Sequence, residues 1–162
     1  MEWPKLVINM IQLTSIDFAK LIQYAAQKMF YQHLNRTQIN KILFFVYGRY
    51  LALTGNKLFT DDTPKAWPYG PVFPIVNKRI NPSEEVKFTP EMISEYKKNG
   101  TALEIIKDAV NVMHSKSAQM LTDWSHQIGS PWYRTLYEGR NDGSRAAWNT
   151  EIKDEYIKEY FT

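Results

Sequence analysis

The run TQINKILFFVYGRYLALTG, residues 37–55, constrains the fold more than any other stretch of the chain. Ile39, Ile42, Leu43, Val46, Tyr50 and Leu53 recur at helical spacing, and Phe44, Phe45 and Tyr47 widen the apolar stripe around the circumference. A helix that is apolar on so many sides must be covered from several directions at once. The spacing therefore predicts a central buried helix, ended by Gly55, with the rest of the chain packed around it. Core packing is the expected role of its aromatic side chains.

On its N-terminal side, TSIDFAKLIQYAAQKMF predicts a second helix. Thr14 or Ser15 is its N-cap, Asp17 suits the positive helix start, and Ile16, Ala19, Leu21, Ile22, Ala25, Ala26 and Met29 form its apolar face. After Gly55 the helical period stops. Short extended pieces at Leu58–Phe59 and Lys65–Trp67 predict a ribbon across the Asp61–Pro64 turn, and Glu85–Phe88 fits either a strand or a loop. Pro71 or Pro74 is suited to start a short helix, PIVNKRI. Thr89 and Pro90 mark the start of another, Gly100 interrupts it, and further helices are expected over 101–113, 117–127, 131–138 and 151–160. No repeat and no linker divides the chain. The expected fold class is mainly α: a single compact helical domain over residues 1–162, with a small β-ribbon around residues 57–67.

With 162 residues, 44% of them hydrophobic and 14% aromatic, the chain is too apolar to remain disordered. No apolar run approaches the roughly 20 residues needed to cross a bilayer. The opening MEWPKLVINMIQLT is interrupted by Glu2, Lys5 and Asn9 and does not resemble a secretory signal. The absence of cysteine removes disulfides, thiolate nucleophiles and Cys-based zinc sites. A cytoplasmic location is expected. The net charge of +3 divides unevenly, with ten Lys/Arg against four Asp/Glu in residues 1–80 and ten against thirteen in residues 81–162. Lys20, Lys28, Arg36, Lys41 and Arg49 are spaced along helical segments, which predicts a solvated surface in preference to a nucleic-acid patch.

Chemistry-bearing motifs are scarce. Phosphate-cradling glycine patterns and GxSxG are absent, and His33, His114 and His126 have no metal-ligand spacing. Asp61–Asp62 reads as an acidic pair capping or solvating a turn. Asp123, Ser125 and His126 are neighbours on one helix, so their side chains diverge and cannot form a triad among themselves. The expectation is a protein with no catalytic residues, no metal and no cofactor, which is not an enzyme.

The stretch AWPYGPVFP, residues 66–74, holds three prolines and three aromatics in nine residues. Prolines limit the unbound conformations and aromatics supply area, a combination that lowers the ordering cost of association. Trp67 is expected to turn inward, buried with Leu43 and Val46. Tyr69 and Phe73 are the leading partner-binding candidates, with Lys78 and Arg79 on the following helix and Trp132 further along as additional ones.

The run INKILFFVYGRYLALTGNKLFTDDTPKAWPYGPVFPIV resembles the signature block of the Panacea-domain family. Its members carry a lysine–leucine–aromatic helix centre, a TG…LF exit and an AW.YGPV.P segment. Here Lys41, Leu43, Phe44, Thr54, Gly55, Leu58, Phe59, Ala66, Trp67, Tyr69, Gly70, Pro71, Val72 and Pro74 hold those positions. LTDWSHQIGSPW is similar to a second block, L…TH…PW, through Leu121, His126, Pro131 and Trp132, with Ser125 where threonine is usual. The resemblance extends over roughly residues 14–140.

That resemblance implies a bacterial or phage-associated antitoxin of a toxin–antitoxin system. Its partner would be a cognate protein toxin, alarmone-synthetase-like toxins being among those paired with the family. Neutralisation by direct binding is the first expectation, and delivery of the toxin to a bacterial protease, as one relative does, is a variant of it. A homodimer is compatible with either. The alternative is a nucleic-acid-binding regulator of a phage or toxin–antitoxin operon, but neither a helix-turn-helix nor a basic arm is visible, so DNA is the less favoured partner. An enzyme with dispersed catalytic residues, such as a hydrolase, is a distant third.

Overall fold

The computed structural model describes residues 12–162, so most of the opening MEWPKLVINMIQLT lies outside the described residues. Helix α1, Ser15–Phe30, starts with a capping box: the Thr14 hydroxyl accepts from the Asp17 amide and the Asp17 carboxylate accepts from Thr14 N–H at 2.8 Å. It buries Phe18, Ala19, Ile22 and Ala26. Helix α2, Arg36–Thr54, is capped by a second box, Asn35 with Gln38, and ends at Gly55 as its sequence predicts. Ile39, Ile42, Leu43, Phe44, Val46, Tyr47 and Leu51 are all buried, which makes α2 the centre of the fold.

Three short strands follow a different plan from the expected ribbon. Strand β1, Lys65–Trp67, forms where an extended piece was expected, but Leu58–Phe59 is not its partner. Both of those residues are buried in the core instead, since their side chains are worth more there than on an exposed ribbon. β1 pairs antiparallel with β2, Gly70–Val72, across the two-residue tip Pro68–Tyr69, in the register Lys65↔Val72 and Trp67↔Gly70. On its other edge β1 takes β3, Thr150–Glu151, to give the order β2-β1-β3. The Glu85–Phe88 segment is loop.

The remaining helices are α3, Pro74–Arg79; α4, Pro90–Lys97; α5, Gly100–Met113; α6, Ala118–Ser125; α7, Pro131–Tyr137; and α8, Asp154–Phe161. Thr89, Asn99, Ser117 and Ser130 each accept a backbone N–H at the start of the helix that follows. Helix α8 starts later than expected because Thr150 and Glu151 are used by the sheet. The described residues are thus mainly helical, with eight helices and one small sheet. None of those helices is long and apolar enough to cross a membrane.

Helices α1, α3, α5, α6 and α8 surround α2 and close one hydrophobic cluster around it. Close approach of α8 depends on Gly48, because a Cβ there would run into the ring of Phe161. The guanidinium of Arg49 donates to the Phe161 carbonyl at 2.5 Å and fixes the same contact.

The consecutive acids Asp61 and Asp62 serve two helix starts. Asp61 accepts from the N–H and hydroxyl of Ser15 at 2.8 and 2.9 Å, and Asp62 accepts from the amides of Ile75 and Val76 at 3.0 and 3.1 Å. Their turn therefore couples α1 to α3. The pair is expected to cap or solvate its own turn; Asp62 does accept from the Thr63 amide there, but the other bonds go to helix starts elsewhere in the chain.

Candidate functional site

Helix α2 presents two consecutive polar residues, Asn40 and Lys41, to the hairpin formed by β1 and β2. Both are buried, and Lys41 is only 1% exposed. The Asn40 side-chain oxygen accepts from the Phe73 amide at 3.0 Å, and the Lys41 ammonium donates to the Pro71 carbonyl at 3.3 Å. Lys41 was expected on a solvated face with the other helix lysines. It lies instead among apolar residues, as its place inside INKILFF could have signalled. Among the described residues no carboxylate pairs with it. Burial therefore pulls its pKa from 10.5 to about 8.

Gly70 is what lets the hairpin lie this close to the amine. Its φ of +112° disfavours side chains, and a Cβ there would stand 2.5 Å from the Ser125 hydroxyl oxygen and 2.8 Å from Lys41 Cε. Ser125, at the end of α6, donates from its hydroxyl to Thr122 O at 2.8 Å, and its own carbonyl accepts from the Ser130 hydroxyl at 2.9 Å. His126 follows, with its ring stacked on Trp132 at a centroid distance of 3.8 Å and an angle of 12°. Its Nε2 is buried and has no hydrogen-bond partner among the described residues. Burial first, and the Lys41 charge second, lower its pKa, while the nearby Pro68 carbonyl favours the protonated ring.

Trp132 completes the bracket: its indole N–H donates to the Trp67 carbonyl at 2.7 Å. On the opposite edge the Trp67 indole donates to Asn149 Oδ1 at 2.9 Å, and Asn149 N–H donates to the Ala66 carbonyl at 2.8 Å. The backbone on both sides of the Pro68–Tyr69 tip is thus held by side chains of α2 and α7, with the 125–126 segment packed behind it. Tyr69 itself projects from the tip and is 72% exposed.

The expected contact residues separate accordingly. Tyr69 is exposed, but Phe73 is fully buried, its ring 5.5 Å from Tyr47 and 5.3 Å from Phe59. It is a core residue, because β2 turns its face onto α2 just after Pro71. Trp132 is 6% exposed and acts as a bracket in place of a contact surface. Lys78 and Arg79 are exposed in the last turn of α3, where they suit the negative helix end. They leave from the end of β2 opposite the tip, so they do not share a surface element with Tyr69. Leu43 and Val46 are buried as expected, whereas Trp67 is only half-buried and Ala66 takes the inward position.

The histidines have separate surroundings. His33 meets Glu85 at 2.8 Å, His114 stacks on Phe30, and His126 stacks on Trp132. Asp123 accepts from Gln119 and does not join Ser125 and His126.

The model of the family described as Antitoxin SocA-like, Panacea domain, matches residues 39–133, more than half of the chain. The match runs from α2 through the hairpin to α7, and so contains every residue of the bracket from Asn40 to Trp132. It leaves out α1 and α8, the two helices that cover α2 from outside the matched stretch. No curated protein and no solved structure matches the chain.

Proposed function

Because the chain belongs to the antitoxin SocA-like Panacea-domain family, we propose that it neutralises a protein toxin by binding it directly. The observation that carries this reading is the contrast at the hairpin tip. Tyr69 is largely exposed while the backbone on either side of it is tied down by Lys41 and Trp132. A large side chain on a preformed backbone loses little freedom on association. It can anchor an interface for that reason.

Binding is favoured over catalysis because, where amine, hydroxyl and imidazole come together at Lys41, Ser125 and His126, the Lys41 and Ser125 side chains are buried behind the hairpin. Protein is favoured over DNA because several basic side chains are already engaged. Lys20 pairs with Glu84, Lys57 pairs with Asp154, and Arg36 donates to the Asn77 and Ile80 carbonyls at the end of α3.

The test is co-expression of this chain with the toxic protein encoded by the adjacent reading frame, followed by co-purification. Growth should be restored by the wild type, and Tyr69→Ala should weaken both rescue and capture by tenfold or more, as loss of an anchor worth roughly 2 kcal/mol implies. Full rescue with no complex formed would overturn direct binding. Rescue that needs a host protease would replace it with delivery for degradation.

A further inference from the structure

The least explained group in the structure is the Lys41 ammonium. Placing a cation in the core without a carboxylate is costly, and a methionine of similar length would fill the space without that cost. A single 3.3 Å hydrogen bond to Pro71 O is a weak return for stability alone. Its position offers another reason. Pro71 is two residues from Tyr69, and Gly70 between them is the residue whose missing side chain makes room for the amine. Asn40, one residue earlier on α2, holds the amide of Phe73, the residue that follows β2 and caps α3. Two adjacent side chains of the central helix thus grip one carbonyl within β2 and the amide just after its end.

We propose that Lys41 is a positioning residue for the hairpin tip, fixing the direction in which Tyr69 is presented to the protein partner without touching that partner. This rests on the reading of the tip as the contact surface. The amine acts on the C-terminal side of the tip, and the Trp132 indole acts on its N-terminal side at Trp67 O. With both sides held, Pro68 and Pro71 restrict what is left of the backbone. Removing the amine frees one side only, so the hairpin persists but its tip is no longer held in one orientation.

The experiment is amide hydrogen exchange, read residue by residue on the isolated full chain. In Lys41→Met the amides of Gly70 and Val72, in the ladder on either side of Pro71, should exchange about tenfold faster, the loss of one hydrogen bond, while those of Leu43 and Val46 in α2 keep their wild-type rates. Gly70→Ala, which pushes β2 away from an intact amine, should give the same local pattern. In the double variant the two effects at the tip should be less than additive, because both changes break the Lys41–Pro71 contact while Gly70→Ala also crowds Ser125. Neutralisation by Lys41→Met should fall along with tip protection.

Unchanged tip exchange in Lys41→Met would overturn the proposal. So would a uniform acceleration that includes α2, which would make Lys41 a general stabiliser, or strictly additive effects in the double variant. If Lys41→Met does not fold, Gly70→Ala decides, since faster exchange confined to the tip is still required. A loosened tip that neutralises as well as wild type would also overturn the proposal. Exchange requires no partner, so failure of Tyr69→Ala to affect capture would count against the functional reading and leave the exchange result to judge Lys41 by itself.

Discussion

The indole of Trp132 donates to the backbone carbonyl of Trp67 at 2.7 Å across 65 residues of chain. Trp132→Phe keeps a ring to stack on His126 but removes the donor, leaving the Trp67 carbonyl without that partner. The expected cost is about 1–3 kcal/mol, a drop of several degrees in the melting temperature of a domain this size. Thermal unfolding by circular dichroism checks it, and an unchanged midpoint would mean that the bond contributes nothing.

Tyr69 and Phe73 are four residues apart and should behave oppositely. Phe73→Ala removes a fully buried ring from a cluster with Tyr47 and Phe59 and should cost ~3–5 kcal/mol. Tyr69→Ala removes an exposed side chain and should stay within ~0.5 kcal/mol of wild type. Urea denaturation of the two variants side by side separates a core residue from a surface one.

Gly48→Ala should destabilise although alanine is the better helix former. The added methyl meets the Phe161 ring, so α8 must move off α2, at a cost of about 1–3 kcal/mol. Pairing it with Phe161→Leu, which makes room, should recover part of the loss. A Gly48→Ala protein more stable than wild type would show that the α2–α8 contact adapts freely.

Stability should rise with pH on the alkaline side. The Lys41 pKa is lowered by burial to about 8 in the folded chain, against 10.5 for a free lysine. Between those values the unfolded chain holds a proton that the folded chain has released, so raising the pH favours folding, by up to roughly 3 kcal/mol over the whole window. His126, also lowered, acts in the same direction at lower pH: its contribution is present above its unfolded pKa and is lost as the pH falls from there through its lower folded pKa. Urea midpoints should therefore rise between pH 7.5 and 9.5 in wild type and stay level in Lys41→Met. The comparison stops at pH 9.5 because burial pushes up the pKa of Tyr47 and Tyr96, and tyrosine ionisation then favours the unfolded chain.

What was legible in the sequence was what local periodicity and caps encode. The central helix, the Thr14–Asp17 start, the Thr89–Pro90 start and the Gly55 stop depend on residues within one or two turns of each other. The partner of β1 was not legible in the same way. Leu58–Phe59 and Gly70–Val72 are both short and apolar, and only the core position of Phe59 decides which of them leaves the sheet. β3 was invisible because Thr150–Glu151 has no strand pattern of its own and is recruited by the free edge of β1. In the candidate site, Tyr69 could be read as a stiffly mounted aromatic. Phe73 could not be told from it without knowing which face of β2 meets α2. For Lys41 the apolar neighbours in INKILFF point to burial, but only the third dimension places Gly70 against its stem.

Asp61 and Asp62 have a consequence for how this chain can vary in length. One carboxylate receives the first turn of α1 and the next receives the first turn of α3, so the distance between those two helix starts is set by a single peptide unit. A residue inserted between them would part the two carboxylates by about 3.8 Å and leave one helix start without its acceptor. The loop from Arg140 to Ser144, exposed and bridging no two elements in this way, is under no such restriction. Relatives of this chain should therefore differ in length around 140–144, while the step from 61 to 62 should have a fixed count.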